Sequence, residues 1–257
     1  MTIYFISDLH LNLRRPESTE LFYNFLAACA PDAEAIYILG DLFEFWIGDD
    51  AADATGQSEI LAAIRRVTEK GVPVYFIRGN RDFLVGHDFE NSTGCKILAD
   101  PTQIRLGDSK VMLKHGDSMC TDDTEHQSFR LLVNDRQWQQ QFLQYSVEKR
   151  LELALSARSR SALHKSMTSM EIMDVNIDAV KREMLTHNAD ILIHGHTHRP
   201  DIHKVVINGR QTTRFVLGDW YTQSSMLRYD SGVFQLSAHG RTFPPVRAAA
   251  RMEARES

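Results

Sequence analysis

The apolar positions of this chain fall into two rhythms: short unbroken runs of strand length, and longer stretches in which they recur at helical spacing. Thr2 to Ile6, Ala35 to Leu39 and Pro73 to Ile77 are runs rich in β-branched and aromatic residues, which predicts buried strands. Between the first two, Leu21, Phe22, Phe25 and Leu26 share one face of a helix predicted to be capped by Ser18 and to run to about Cys29. A second helix is predicted over Ser58 to Lys70, where Gly71 supplies a stop. Strand, helix and strand in alternation predict a βαβ architecture and an α/β fold class.

The later pattern differs. Gln103 to Leu106 and Lys110 to Lys114 flank Gly107-Asp108 as a hairpin, and from about Asp122 to His187 the spacing is helical throughout, with no sheet signal. An apolar run, Ala189 to Ile193, follows. Two more hairpins turn at Asn208-Gly209 (His203 to Ile207 with Thr212 to Leu217) and at Ser231-Gly232 (Met226 to Tyr229 with Val233 to Leu236). The tail from Pro244 is polar and alanine-rich and is predicted to fray.

What stands just after the apolar runs carries the chemistry. The first run is followed by Asp8 and His10, the second by Gly40-Asp41, the third by Asn80 and Arg81, the first hairpin by His115, and the run at 189 by His194-Gly195-His196-Thr197-His198. On an extended backbone Asp8 and His10 point the same way, so the pair is expected to share one ion, and Gly195 is expected to let the backbone turn. Imidazole is the commonest transition-metal ligand, and His196 and His198 at alternate positions behind a buried strand predict a metal site. Asp8, His10, Asp41, Asn80, His115, His196 and His198 offer seven oxygen and nitrogen donors and no thiolate. That set suits two divalent ions of borderline hardness, manganese in particular, with Asp41 the candidate bridging carboxylate. Two dications less two carboxylates leave a positive centre that attracts phosphate, and activated water between the ions could attack phosphorus in line.

Composition narrows the setting. At 257 residues, 43% hydrophobic and 25% charged, the chain reads as one ordinary globular domain or a domain with a cap, and a net charge of -5 gives no nucleic-acid signature. Cys29, Cys95 and Cys120 are few and scattered, as expected of reduced thiols in the cytoplasm. No signal peptide and no membrane span are expected. Two stretches stay open. The aromatic loop Leu42 to Asp50 is either a hydrophobic plug or the wall of a pocket. The segment Ser146 to Ser166 carries Lys149, Arg150, Arg158, Arg160 and Lys165 among leucines, against two acids; it suits an anionic membrane surface or an amphipathic substrate, or else the solvated face of a helix packed on the core.

Taken in order, DxH (8 to 10), GD (40 to 41), GNRD (79 to 82), HGD (115 to 117) and GHTH (195 to 198) resemble the calcineurin-like metallophosphoesterases over nearly the whole chain. The resemblance implies a four-layer α-β-β-α sandwich. It implies one ion on Asp8, His10, Asp41 and His198, and another on Asp41, Asn80, His115 and His196. The segments 42 to 50, 79 to 84, 121 to 123, 172 to 176 and 193 to 200 are similar to the branch of that family that splits the pyrophosphate of an acylated UDP-sugar in lipid A biosynthesis, at the cytoplasmic face of the inner membrane. Many relatives carry histidine where this chain has Arg81. A phosphate monoester leaves without much proton help, so a fixed guanidinium gripping phosphate oxygens is the expected catalytic group there. Substrate contacts are implied at Asn80, Arg81, Asp123, Ser161, Lys165, Thr168 and His196. The implied organisation is a core of residues 1–121 and 171–243, a helical cap over 122–170 holding acyl chains, and a flexible tail from 244 to 257, with no obligate protein partner. The competing expectations are a phosphodiesterase or nucleotide pyrophosphatase of soluble substrates, and a noncatalytic scaffold; a scaffold usually loses ligands, and none of the seven is missing.

Overall fold

The computed structural model describes residues 2–169, 172–221 and 223–248. In chain order these form β1 (Thr2–Ile6), α1 (Pro16–Cys29), β2 (Ala35–Leu39), α2 (Ser58–Glu69), β3 (Val74–Ile77), α3 (His87–Thr93), β4 (Lys96–Leu98), β5 (Thr102–Leu106) and β6 (Ser109–Leu113). Then come α4 (Thr124–Val133), α5 (Arg136–Leu143), α6 (Val147–Met167), α7 (Ile177–Thr186), β7 (Ile191–His194), β8 (Asp201–Ile207), β9 (Arg210–Val216), β10 (Ser225–Asp230), β11 (Val233–Ala238), β12 (Arg241–Thr242) and β13 (Val246–Arg247).

Two sheets result. One runs β12-β11-β10-β1-β2-β3-β4, with β13 also on β11; β1 to β4 are parallel, as crossover helices require. The other runs β5-β6-β7-β9-β8. Alternation along single strands shows why they stack. Tyr4, Ile6, Ile36 and Ile38 enter a core shared with α1 and α2, while Ile3, Phe5, Tyr37 and Leu39 face the second sheet. From the other side, Val111, Leu113, Ile191 and Ile193 meet them, and Met112 and Leu192 turn outward beneath Val180 and Met184 of α7. Helix, sheet, sheet and helix are thus four layers. A strand buried on both faces reads as an unbroken apolar run, which is why β1 and β2 lie where the pattern predicted.

Three expectations are corrected. Ser18 is not a cap: α1 begins at Pro16, and the buried Ser18 hydroxyl donates to the Trp220 carbonyl at 3.0 Å. Helix α3 and strand β4 were not anticipated. The start of α3 is held by Asp49, whose carboxylate accepts from Gly86 N and Phe89 N at 3.0 Å each, a cap from far upstream that local pattern cannot reveal. The tail is ordered further than expected, with Val246–Arg247 paired to β11; residues 249–257 lie outside the described residues.

Helices α4, α5 and α6 sit between β6 and α7 in the chain, as the helical spacing predicted. The leucine face of α6 is divided: Leu151, Leu153 and Ala154 pack on the main core, while Leu155 and Leu163 are exposed. Its basic residues are largely paired. Arg150 is buried and gives bidentate bonds to Asp50, with a further bond to the Ile47 carbonyl at 2.6 Å; Arg158 binds Glu44, and Lys149 binds Glu152. Among the described residues no helix is long and apolar enough to cross a membrane.

Candidate metal centre

All seven expected ligands stand past the C-terminal ends of strands: Asp8 and His10 after β1, Asp41 after β2, Asn80 after β3, His115 after β6, His196 and His198 after β7. The reason they converge differs from the one expected. Neither Asp8 nor His10 is extended; both are left-handed, with φ of 56° and 50°, as are Asp41 (53°), His196 (69°) and His198 (57°). Backbone of this kind is costly for residues with a side chain and persists where the surroundings enforce it. Here β-type hydrogen bonds do so, Asp8 N to Gly40 O at 3.1 Å and His10 N to Asp41 O at 3.0 Å. Gly195 has a role other than turning: a Cβ there would collide with Asp8 Oδ2 and Ser7 Oγ, so the glycine permits close approach.

The groups gather in two touching clusters. Asp8, His10 and His198 form one, with His10 Nε2 and His198 Nε2 3.1 Å apart and His198 Nε2 3.4 Å from Asp8 Oδ1. Asp8, Asp41 and His115 form the other, with His115 Nε2 3.6 Å from Asp41 Oδ1. Asn80 Oδ1 joins it, 3.0 Å from His115 Nε2 and 2.9 Å from His196 Nδ1. Asp8 is the carboxylate common to both clusters; Asp41 belongs to the second and accepts from Arg81 N at 2.8 Å.

Electrostatics fits a cation. Burial alone would push the Asp8 pKa up, but the His198 and His115 imidazoles and the Ser7 hydroxyl hold it below the usual carboxylate range. Burial dominates at Asp41 and raises it to about 7. At His115 burial is overridden by Asp41 and Asp8, which lift it to about 9. Asp8 Oδ1 is fully buried without a hydrogen bond. Buried carboxylates facing ring nitrogens at these distances share protons that a divalent ion would replace, and the oxygen and nitrogen donors fit one.

Several residues of the centre were not anticipated. Asp82, fully buried, accepts from Gly79 N and Leu42 N at 2.7 Å each and from Asp41 N at 3.3 Å, locking the loop after β2 to the loop after β3. Asp219 stands 3.0 Å from His198 Nδ1 and fixes that ring with Nε2 toward Asp8. It follows Gly218 at the end of β9, the same glycine-acid pair at a strand end that singled out Asp41, so the signal was present in the sequence. Tyr221 stacks on His10, centroids 5.5 Å apart, and His126 packs at a tilt against His196, centroids 4.8 Å apart. His194 is not part of the cluster. It is buried, with Nδ1 2.9 Å from the Gly195 carbonyl.

Beside the clusters opens a cavity of about 660 Å³. Asp41, Asn80, Arg81, His196 and His198 form its polar end, and Phe83, Phe129, Leu132, Trp138 and Phe142 give it an apolar wall. Phe45, Trp46 and Ile47 also line it while Phe43 and Trp46 are buried, so the aromatic loop is both plug and wall. Arg81 Nε lies 3.8 Å from Asp41 Oδ2. Of the implied cap contacts, Ser161 and Asp123 line the cavity, and Asp123 also caps α4 by accepting from His126 N at 2.9 Å. Thr168 is half-buried and is not part of the wall; the Lys165 side chain lies outside what is described.

Two packed sheets between helices, with strand-end acids, imidazoles and an asparagine converging at one edge, define a metal-dependent phosphoesterase, and the calcineurin-like phosphoesterase family model matches residues 1–200. The chain belongs to that family, as its motifs implied. It is 47% identical over 252 residues to the UDP-2,3-diacylglucosamine hydrolase of Stenotrophomonas maltophilia (strain K279a), covering 94% of this chain and 100% of that protein. It is 45% identical over 239 residues to the hydrolase of the same name from Vibrio parahaemolyticus, covering 92% and 97%. In fold it is similar to YfcE, a phosphoesterase from E. coli, at 17% identity and a TM-score of 0.51, covering 97% of this chain and 100% of that one.

Proposed function

We propose that the chain hydrolyses the pyrophosphate bond of UDP-2,3-diacylglucosamine, giving UMP and 2,3-diacylglucosamine 1-phosphate in lipid A biosynthesis. The observation that carries the reading is one cavity with a metal-type cluster at one end and an apolar helical wall at the other. An amphipathic nucleotide-sugar needs both ends. The names of the relatives support the same substrate.

In this reading Asp8, His10, Asp41 and His198 would hold one divalent ion and Asp41, Asn80, His115 and His196 another; Asp8, whose Oδ2 already accepts from Ser7 Oγ and His196 N, offers only Oδ1 and so serves one ion, and manganese is the ion the donor set suits. When bound, such ions activate water and neutralise the charge of the phosphates. The chain supplies the rest. Asp219 holds the His198 ring and the Leu39 carbonyl the His115 ring through their Nδ1 atoms, and Arg81, its backbone bonded to Asp41, offers its guanidinium to the oxygens of the α-phosphate under attack. The sugar 1-phosphate departs as a stable anion and needs no proton from the protein. Asp123 and Ser161 meet the head group, with Lys165 and Thr168 further along the cap.

The unit formed by residues 122–170 acts as a cap on a core of 1–121 and 171–243. Exposed Leu131, Leu155 and Leu163 on α4 and α6 give it an apolar outer surface that suits peripheral binding at the cytoplasmic face of the inner membrane. The experiment is to offer the manganese-loaded protein UDP-2,3-diacylglucosamine and soluble UDP-sugars side by side, in ¹⁸O water, and to identify products by mass spectrometry. Label in UMP with turnover confined to the acylated substrate is expected; equal turnover of soluble UDP-sugars would make this a general nucleotide pyrophosphatase.

A further inference from the structure

A second hollow, of about 390 Å³, opens where the loop after β7 meets β8, β9 and the end of β11. Its buried member is Arg214 of β9, 7% exposed. The Nε of Arg214 is buried with no hydrogen-bond acceptor, and one terminal nitrogen reaches only His194 Nε2, at 3.4 Å. That ring is no counter-charge: accepting from a guanidinium through Nε2 while donating through Nδ1 to the Gly195 carbonyl, it is neutral. A guanidinium taken out of water without an anion is strongly destabilising, so its surroundings call for one.

The acids nearby do not meet the need. Asp174 accepts from Arg199 at 2.8 Å, and Asp201 lies 3.8 Å from His203 Nε2. Arg214 and Arg241, both on the wall, form no ion pair among the described residues. Thr197 adds a buried hydroxyl without a partner, and Thr197 and Arg199 line both this hollow and the metal-side cavity. A guanidinium fork and a hydroxyl are the donors that suit a tetrahedral oxyanion, with Arg241 at the mouth to attract it.

We propose that this second cavity is a phosphate-binding site, distinct from the metal centre and separated from it by the Thr197 to Arg199 turn. Its ligand is either a phosphate monoester or free orthophosphate, since both present the same oxygens; the spare volume leaves room for an ester group. Because Thr197 and Arg199 belong to both walls, an anion here bears directly on the loop that carries His196 and His198.

The test is equilibrium dialysis of the metal-loaded full chain against UMP, orthophosphate and uridine in turn. A second equivalent of UMP or orthophosphate per chain, beyond the one at the metals, is expected, and none of uridine. Arg214→Gln should weaken that equivalent by roughly tenfold or more, the loss typical of a charged hydrogen bond, and leave the first in place. Because Arg214 is buried, Arg241→Glu on the exposed β12 provides an independent variant; it should weaken the same equivalent with an unchanged melting temperature. Hydrogen exchange should slow at residues 199–203 and 238–241 on binding. Competition between the two anions tells which source fits better. A single equivalent in the wild type, or a second one that both variants retain at full strength, would overturn the site, as would uridine binding as well as UMP.

Discussion

The strand-end loops and the helical insert fix their polar groups by opposite means. Around the metal centre the backbone itself is constrained: left-handed residues at Asp8, His10, Asp41, His196 and His198, a buried Asp82 stitching two loops together, and a glycine at 195 with no room for a methyl. In the insert the backbone is ordinary helix, and attachment depends on side-chain pairs, Arg150 to Asp50 and Arg158 to Glu44, plus apolar packing of Leu151, Leu153 and Ala154. The candidate metal centre is thus built largely from main chain, and the apolar wall beside it is hung from side chains. Changes to the first should therefore abolish chemistry, and changes to the second should alter which substrates are used.

The largest effect is expected at the ligands. Asp41→Asn should reduce turnover by more than the roughly 10- to 100-fold typical of losing a residue behind a ligand. The chain should stay folded, because the bond from Arg81 N is kept and a buried carboxylate is removed. Turnover, metal content and melting temperature measured together test this; a variant that loses fold and activity in parallel would erase the distinction between the regions. Asp219→Asn comes next. It frees the His198 ring and should cost roughly 10- to 100-fold in metal affinity or activity, read by titration of the metal-free protein.

A smaller effect belongs to the insert. The Arg150 hydrogen bonds, set against slight burial, hold the Asp50 carboxyl below its usual range. With the folded value depressed, the contribution to stability is present above the unfolded pKa and is lost as pH falls through the folded one. Asp50→Asn should therefore lower the melting temperature modestly at neutral pH, Asp50 being largely exposed, and the difference from wild type should vanish in acid. A deficit that persists undiminished once acid has protonated the Asp50 carboxyl would mean the tether is not electrostatic.

These contrasts also explain what the sequence disclosed. Strands β1 and β2 and the converging acids and imidazole behind them were legible because both faces of those strands are buried and chemically distinctive residues stand where the apolar run stops. The direction of the ligands was not legible, since left-handed turns at Asp8 and His10 arise from bonds to Gly40 and Asp41 on the neighbouring strand end. Helix α3 was hidden for a similar reason, its cap being Asp49. The basic excess of α6 looked like a free charged face because Glu44 and Asp50, which neutralise Arg158 and Arg150, lie about a hundred residues upstream. Asp219 follows Gly218 behind β9 just as Asp41 follows Gly40 behind β2, so the sequence carries its signal too.

The central claim is that the apolar wall beside the metal centre is there for acyl chains. Its most direct measurement compares kcat/KM for UDP-2,3-diacylglucosamine and its deacylated analogue in wild type and in a Phe129→Ala, Leu132→Ala double variant, two wall residues that are not fully buried. The account predicts a KM that rises roughly tenfold or more for the diacylated substrate, each truncation removing about 1.5–3 kcal/mol of apolar burial at most. The deacylated analogue should be nearly unaffected. Equal losses on both substrates would contradict it, and would make the insert a support for the core instead of a wall for lipid.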